Sequence, residues 1–206
     1  MGIEAVVFDI GNVLIRWQPE IYYDALLGED RRRAMFDAID LHGMNERIDA
    51  GEDFREVVYG TADAHPDWAE PIRHWHDRWV ELASPEIPGS VRALRALRAA
   101  GVQVFALSNI GEGTLALAEA RYPFLAEFDR RYISGAMRAV KPSPEIYAMV
   151  EADCGLAPDA LLFADDRADN IATAAARGWQ THLFEGPEGW AECLVSHGLL
   201  KKDDLA

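Results

Sequence analysis

The chain has 206 residues, and half of them are hydrophobic, so it can bury a sizeable core and is not globally disordered. Its formal net charge of −15 at pH 7 argues against nucleic acid and anionic membranes as partners. An acidic protein that binds an anion must carry its positive charge locally or take it from a metal ion.

The cysteine content and the first residues bear on the compartment. Cys154 and Cys193 have no metal-ligand spacing, which is typical of reduced thiols. The chain begins without a charged-then-apolar leader, and no apolar run approaches the length of a membrane span. We therefore expect a cytoplasmic protein, and the sequence leaves its oligomeric state open.

The predicted elements begin with an apolar, β-branched run that ends in Asp9 and is followed by Gly11. Such a run predicts a buried parallel strand. A carboxylate at the carboxyl end of that strand lies where open α/β sheets bind ligands, and a glycine lets the backbone approach closely. Taken alone, Asp9 is equally compatible with a turn cap.

The next stretch, 17–87, has apolar residues at helical spacing and no convincing strand. It contains four of the six tryptophans, which suggests a small core of its own: Trp17, Trp68, Trp75 and Trp79. It ends in a linker rich in proline and glycine at 84–89, suited to a hinge. We expect a helical cap domain at 16–88 inserted into a core domain formed by 1–15 and 89–206.

After the linker, helices and strands alternate. Ser90 is predicted to cap a helix that Gly101 closes. Further strands are predicted at 102–107, around 132–133, at 161–164 and at 180–184, with helices at 113–121, 144–154, 171–177 and 189–200 and a polar tail beyond 200. This alternation predicts an α/β fold, a doubly wound, Rossmann-like parallel sheet of five strands with Asp9 on a central strand.

Polar residues follow the ends of several of these strands: Asp9, Ser108 with Asn109, Lys141, and Asp165 with Asp166. In a doubly wound sheet these termini converge on one edge. Each residue alone has an ordinary structural explanation as a turn residue, a surface charge or a helix cap. Together on one edge they favour a site.

Phosphoryl transfer gives this set a chemical logic. A carboxylate that attacks phosphorus forms an aspartyl-phosphate and divides one difficult displacement into two easier ones. Mg²⁺ held by Asp9 and the acidic pair would neutralise the repulsion between two anionic reactants. Ser108 and backbone N–H groups can hold the phosphate oxygens, and Lys141 can balance their charge.

Four segments resemble, in order, the motifs of the haloacid dehalogenase-like hydrolases: 8–14, 107–109, 141–147 and 163–170. The resemblance covers essentially the whole chain, and the insert is similar to the helical cap of the family's first subgroup, which closes over the site and selects the substrate. The resemblance implies a nucleophile, phosphate-binding residues and metal ligands. The implied nucleophile is Asp9. The implied phosphate-binding residues are Ser108, Lys141, Asn109 and Gly11. The implied metal ligands are Asp9, the Gly11 carbonyl, Asp165 and Asp166, of which Asp166 aligns best with the main metal ligand.

One position departs from the family pattern. Many phosphatases of the family carry a second aspartate two residues after the nucleophile, as general acid and base, and this chain has Gly11 there. General acid–base help is commonly worth about 10²–10⁴-fold, so poor leaving groups should react most slowly. The Gly-Asn-Val sequence resembles a branch that includes sugar-phosphate phosphatases. His42, Glu46 and His76 of the insert, or a water, are candidate substitutes.

The sequence therefore predicts a Mg²⁺-dependent phosphatase of a small phosphorylated metabolite, such as a sugar phosphate. A metal-independent 2-haloacid dehalogenase is the first alternative. The acidic pair argues against it, as does the absence of the tyrosine that the resemblance would require at Gly11. A non-catalytic phosphate- or metal-binding regulatory protein is the second alternative. A phosphomutase is less favoured, because returning the phosphoryl group also needs the general acid and base that the chain lacks at Gly11.

Overall fold

The fold is organised around a parallel sheet. The structure, a computed structural model, describes residues 2–205. Within them the strands are β1 (Ala5–Phe8), β2 (Ile15–Trp17), β3 (Ala83–Glu86), β4 (Gln103–Ser108), β5 (Arg130–Ile133), β6 (Leu161–Asp165) and β7 (Gln180–Leu183). Five of them form a parallel sheet in the order β5-β4-β1-β6-β7. The predicted doubly wound α/β fold class is confirmed, and β1 is the central strand.

Alternate residues of β1 face opposite sides of the sheet, as the two-residue period of a strand requires. Val6 and Phe8 belong to one buried cluster, and Ala5 and Val7 to the other. The helices outside the insert, which enclose the sheet, are α7 (Pro88–Ala99), α8 (Glu112–Arg121), α9 (Ser134–Met137), α10 (Pro144–Cys154), α11 (Ala168–Ala176) and α12 (Pro187–Ser196). No helix in the described part of the chain is both long and apolar enough to cross a bilayer.

The segment between β2 and β3 is helical, and we call residues 19–82 the helical insert. Its helices are α1 (Pro19–Leu27), α2 (Glu29–Ala38), α3 (Leu41–Asp49), α4 (Phe54–Ala64), α5 (Ala69–Asp77) and α6 (Trp79–Leu82). The ring centroid of Trp17 lies 5.6 Å from that of Trp75 and 6.1 Å from that of Trp79. The expected aromatic packing is present, but it is continuous with one face of the sheet, so the insert has no separate core.

Two local predictions are wrong. Ala83–Glu86, within the stretch predicted to lack strands, pairs antiparallel with β2, with Trp17 opposite Ala83. Its Ala-Ser-Pro-Glu sequence has little strand propensity, so the pairing comes from its neighbour rather than from the segment itself. Ser90 caps no helix, because α7 already begins at Pro88 and Ser90 is buried in its first turn. The polar tail forms a 3₁₀ turn at Lys202–Leu205, and Ala206 lies outside the described residues.

Candidate active site

Asp9 follows the last residue of β1 and is almost fully buried, with 7% of its surface exposed. Its N–H donates to the carbonyl of Ala164 at 2.9 Å, and its Oδ1 accepts from the N–H of Ile10 at 2.7 Å. It lines a cavity of about 630 Å³ at the carboxyl ends of β1, β4 and β6. The carboxylate is therefore fixed by the central strands and open to the cavity.

Lys141 supplies the buried positive charge. Its Nζ lies 3.0 Å from Oδ1 of Asp9 and 2.6 Å from Oδ2 of Asp165, and it donates to the carbonyl of Leu107 at 2.9 Å. Burial by itself would lower the pKa of Lys141, but the two carboxylates outweigh burial and raise it. The ammonium therefore stays charged beside Asp9.

Asn109 holds the backbone of Lys141. The side-chain amide donates to the Lys141 carbonyl and accepts from its N–H, both at 2.8 Å. This two-point contact joins the end of β4 to the loop before α10. Asn109 thus fixes the loop from which the ammonium reaches Asp9.

The acidic pair divides into two differently bound carboxylates. Asp165 is fully buried and accepts four hydrogen bonds, from Lys141, from the Arg167 N–H and twice from the Asn170 amide. Asp166 lines the cavity and accepts from Nδ2 of Asn12 at 3.0 Å. Asp165 is therefore held within the protein framework, whereas Asp166 faces the open space.

The three carboxylates fit a hard divalent cation. Asp9, Asp165 and Asp166 each offer an oxygen, and these oxygens lie within 4.8 Å of one another. Within residues 2–205, Oδ2 of Asp9 accepts no hydrogen bond, and Oδ1 of Asn170 is buried without a partner. Burial, opposed by Lys141, raises the pKa of Asp9 to about 7, and burial also raises that of Asp166. A cation would relieve this crowding of negative charge.

The structure brings most of the predicted site residues to one cavity. Those that line it are Asp9, Gly11, Ser108, Asn109, Lys141 and Asp166, with Asp165 behind Lys141. Of the insert residues suggested as substitute acids, His42 and Glu46 line the cavity. His76 does not: it packs on Phe54 at 4.6 Å between ring centroids and pairs with Asp77.

Asn12 is a site residue that the sequence reasoning missed. Its φ is 54°, a left-handed conformation that asparagine tolerates better than most residues. Its side chain donates to Asp166 and accepts from the Trp17 N–H, both at 3.0 Å. Asn12 thus orients Asp166 from the loop after β1. The only sequence feature that could have indicated this role is the position of Asn12 directly after Gly11.

Asp49 is the second residue that was missed. It lies at the end of α3, whose face toward the cavity carries His42, Asn45, Glu46 and Asp49. Asn45, Glu46 and Asp49 follow His42 by three, four and seven residues, and residues at this spacing lie on one side of a helix. That polar stripe could have been found in the sequence.

The fold and this edge site define an α/β protein of the hydrolase class, centred on a carboxylate beside a fixed ammonium. The chain belongs to the haloacid dehalogenase-like hydrolases, whose family model matches residues 3–178.

Solved structures share the fold at low sequence identity. The HAD family enzyme bt-2542 of Bacteroides thetaiotaomicron is 22% identical over 94% of this chain and 99% of that one, with a TM-score of 0.77. Its wild-type complex with magnesium and inorganic phosphate has a TM-score of 0.74, at 22% identity over 93% and 99%. L-2-haloacid dehalogenase of Xanthobacter autotrophicus, with chloropropionic acid covalently bound, is 22% identical over 98% and 86%, with a TM-score of 0.61.

Proposed function

We propose that this chain is a Mg²⁺-dependent phosphatase that hydrolyses a small phosphorylated metabolite, such as a sugar phosphate, through an aspartyl-phosphate on Asp9. The observation that carries the proposal is the Asp9 carboxylate itself, open to the cavity, 3.0 Å from the Lys141 ammonium and within 4.8 Å of two further carboxylates. An anion could not approach three carboxylates without cations beside them.

The chain's own groups have distinct roles in this proposal. Asp9 attacks phosphorus. The Ser108 hydroxyl and the Lys141 ammonium hold the non-bridging oxygens, where negative charge persists through the displacement. Asn109 keeps Lys141 in place through its two hydrogen bonds to the Lys141 backbone. Gly11 leaves room beside the nucleophile, because a Cβ added there would meet no atom within 4 Å.

The metal ligands in the proposal are the Asp9 carboxylate, the Gly11 carbonyl and Asp166, with Asp165 adjacent. When bound, Mg²⁺ would supply charge neutralisation for the phosphoryl group and the nucleophile. Because Asp165 already accepts four hydrogen bonds, its part is to hold Lys141 and Asn170. The magnesium and inorganic phosphate in the Bacteroides thetaiotaomicron complex support this assignment.

The cap domain expected at 16–88, which contains the helical insert, is proposed to select the substrate. Its α3 and Trp79 line the cavity opposite the strand ends. The part of a substrate beyond its phosphate would therefore contact the insert.

A second candidate is the dehalogenase reaction, which the similarity to the Xanthobacter autotrophicus enzyme favours. One experiment separates the two: phosphate release from a panel of phosphorylated metabolites, and chloride release from 2-chloropropionate, each with Mg²⁺ and with excess chelator. We expect Mg²⁺-dependent phosphate release and no chloride release. Chloride release in chelator without phosphate release would establish the dehalogenase, and neither activity would favour a non-catalytic protein.

A further inference from the structure

We propose that Asp49 of the helical insert is the general acid and base of this site, in place of the carboxylate that the chain lacks at Gly11. This inference rests on the proposed phosphatase function and identifies the group that completes it.

Asp49 has both the location and the surroundings that such a group needs. It is half-buried and lines the same cavity as Asp9, so both residues border the space that a substrate would occupy. The Asn45 amide donates to its Oδ2 at 2.9 Å, which orients the carboxyl.

Asp49 is anchored to the core although it belongs to the insert. The Ser134 hydroxyl donates to the Asp49 carbonyl at 2.6 Å and accepts from the Ile110 N–H at 2.9 Å. The Arg138 guanidinium donates to the Gly51 carbonyl. Asp49 is therefore held by the segments that follow β4 and β5, and β4 also positions Ser108 and Asn109.

The close approach of the two segments is visible at two glycines. A Cβ at Gly111 would lie 2.7 Å from a methyl of Ile48, and one at Gly51 would lie 2.5 Å from the Gly135 carbonyl oxygen. Gly51 also has a φ of +101°, which side chains with a Cβ rarely adopt. The sequence is thus adapted to bring the end of α3 against the core.

The electrostatic surroundings favour an acid that holds its proton near neutral pH. Burial, the charge of Asp9 and that of Glu46 raise the pKa of Asp49 to about 8, while Asn45 and Lys141 act in the opposite direction. Other ionisable groups that line the cavity are Arg16, His42, Asp166 and Arg167. A protonated Asp49 suits the donation of a proton to a departing alkoxide.

The two other insert candidates are less suited. The His42 side chain is 57% exposed and pairs with Glu20 at 3.1 Å, and Glu46 is exposed. Neither is tied to the core through its backbone in the way that Asp49 is tied through Ser134.

The proton balance covers both half-reactions. Asp9 forms a bond to phosphorus while the bond to the leaving oxygen breaks, and that oxygen takes the proton of Asp49 and departs as an alcohol. Water then attacks the acyl phosphate and gives a proton to the Asp49 carboxylate. The bond between phosphorus and Asp9 breaks, its electron pair returns to Asp9, and inorganic phosphate leaves with both residues restored.

The test compares Asp49→Asn with the wild type on two substrates, p-nitrophenyl phosphate and an alkyl phosphate such as a hexose phosphate. The alkyl ester needs a proton on its leaving oxygen and the aryl ester does not. We expect kcat/KM for the alkyl ester to fall by about 10²–10⁴-fold, while kcat/KM for the aryl ester changes little. Asn keeps the acceptor for Asn45. A retained kcat/KM for the aryl ester, which reports formation of the aspartyl-phosphate, shows that the variant is folded, although its kcat falls because hydrolysis of that intermediate lacks a base.

Three further variants sharpen the test. Asp49→Glu should recover part of the alkyl activity. The alkyl activity of the wild type should fall above about pH 8, and Asp49→Asn should lose that pH dependence. Asp37→Asn, an exposed change on α2, should leave both substrates unaffected. Glu46→Gln tests the neighbouring carboxylate.

The outcomes separate the inference from the function on which it rests. An equal loss of kcat/KM on both esters in Asp49→Asn, or a leaving-group effect on kcat/KM in Glu46→Gln but not in Asp49→Asn, would overturn the role of Asp49 while the phosphatase stands. A wild type that hydrolyses no phosphate ester in Mg²⁺ would overturn both.

Discussion

The strand-end residues of the sheet and the polar face of α3 line the same cavity, but they are held in different ways. Lys141 contacts Asp9, Asp165 and the Leu107 carbonyl, so three strand ends are tied into one network. Asp49 depends on the contact of the insert with Ser134. The comparison teaches that the proposed phosphate-binding residues are built into the sheet, whereas the proposed general acid depends on how the insert packs against the core.

The first way to test this division is to remove the nucleophile. Asp9→Asn should lower kcat for every phosphate ester by a factor on the order of 10⁵–10⁶, as loss of a covalent nucleophile does elsewhere. Steady-state assays on aryl and alkyl esters give the measurement, with Asp37→Asn as the exposed control. Substantial activity in Asp9→Asn would place the nucleophile elsewhere.

Removing Asp166, the proposed metal ligand, should produce the next largest effect. Asp166→Ala should weaken the apparent Mg²⁺ affinity by more than about 100-fold. Losing a metal ligand costs more affinity than losing a residue that only hydrogen-bonds to a ligand, which commonly costs about 10–100-fold. The activity is titrated with Mg²⁺ in metal-free buffer. An unchanged Mg²⁺ requirement would contradict the assignment, as would full activity of the wild type in excess chelator.

Asn12→Gly tests the support of that ligand. Glycine accepts the φ of 54° without strain, so the change removes the side-chain amide that donates to Asp166 and accepts from the Trp17 N–H. We expect a loss of about 10–100-fold in Mg²⁺ affinity, the usual cost of removing an outer-shell partner. An Mg²⁺ affinity equal to that of the wild type would show that Asn12 only shapes the loop.

Gly11→Asp in the Asp49→Asn background moves the acid from the insert to the sheet. A side chain fits at this position, since a Cβ there meets no atom within 4 Å. We expect alkyl ester hydrolysis to recover by on the order of tenfold or more, within the usual range for a general acid. The matched change Gly11→Asn should give no recovery, and equal recovery by Asn would refute the proton-transfer explanation.

The smallest effect is on stability. The pKa of Asp49 is raised from 3.8 to about 8, so the folded protein retains a proton that the unfolded chain releases, and the stability of the wild type falls as pH rises through that window. Asp49→Asn does not titrate and should be more stable above about pH 8 by on the order of 1 kcal/mol, or about 2–4 °C in Tm. Below about pH 4 the difference should vanish. Thermal unfolding in chelator gives the measurement, and a variant less stable than the wild type at high pH would be contrary to the account.

The sheet and its edge could be predicted because their signals are local. The apolar run before Asp9 is a feature of a few adjacent residues, and the helix predicted at 144–154 likewise begins at Pro144. Such runs also predict which polar residues meet, since parallel strand ends share an edge.

The remainder depends on contacts between distant segments. Within its helix Asp49 shows no local feature that marks it as a site residue. Its position against the core depends on Ser134, 85 residues away in the chain, which donates to its carbonyl. The β2–β3 pairing is likewise imposed by the partner strand, as Pro85 would not suggest it. The polar stripe on α3 is visible in the sequence, but nothing within the insert indicates that this stripe faces Asp9.

One measurement tests most directly the claim that Asp9 is the nucleophile and Asp49 the general acid and base. The Asp49→Asn variant is quenched with acid during its first turnover of p-nitrophenyl phosphate labelled in the phosphoryl group, and the labelled peptide is then mapped. Formation of the aspartyl-phosphate needs no acid with this ester, but its hydrolysis needs the base that the variant lacks. We expect a burst of one nitrophenolate per site and phosphate bound to Asp9. Steady turnover with no bound phosphate, or phosphate on another residue, would contradict the account.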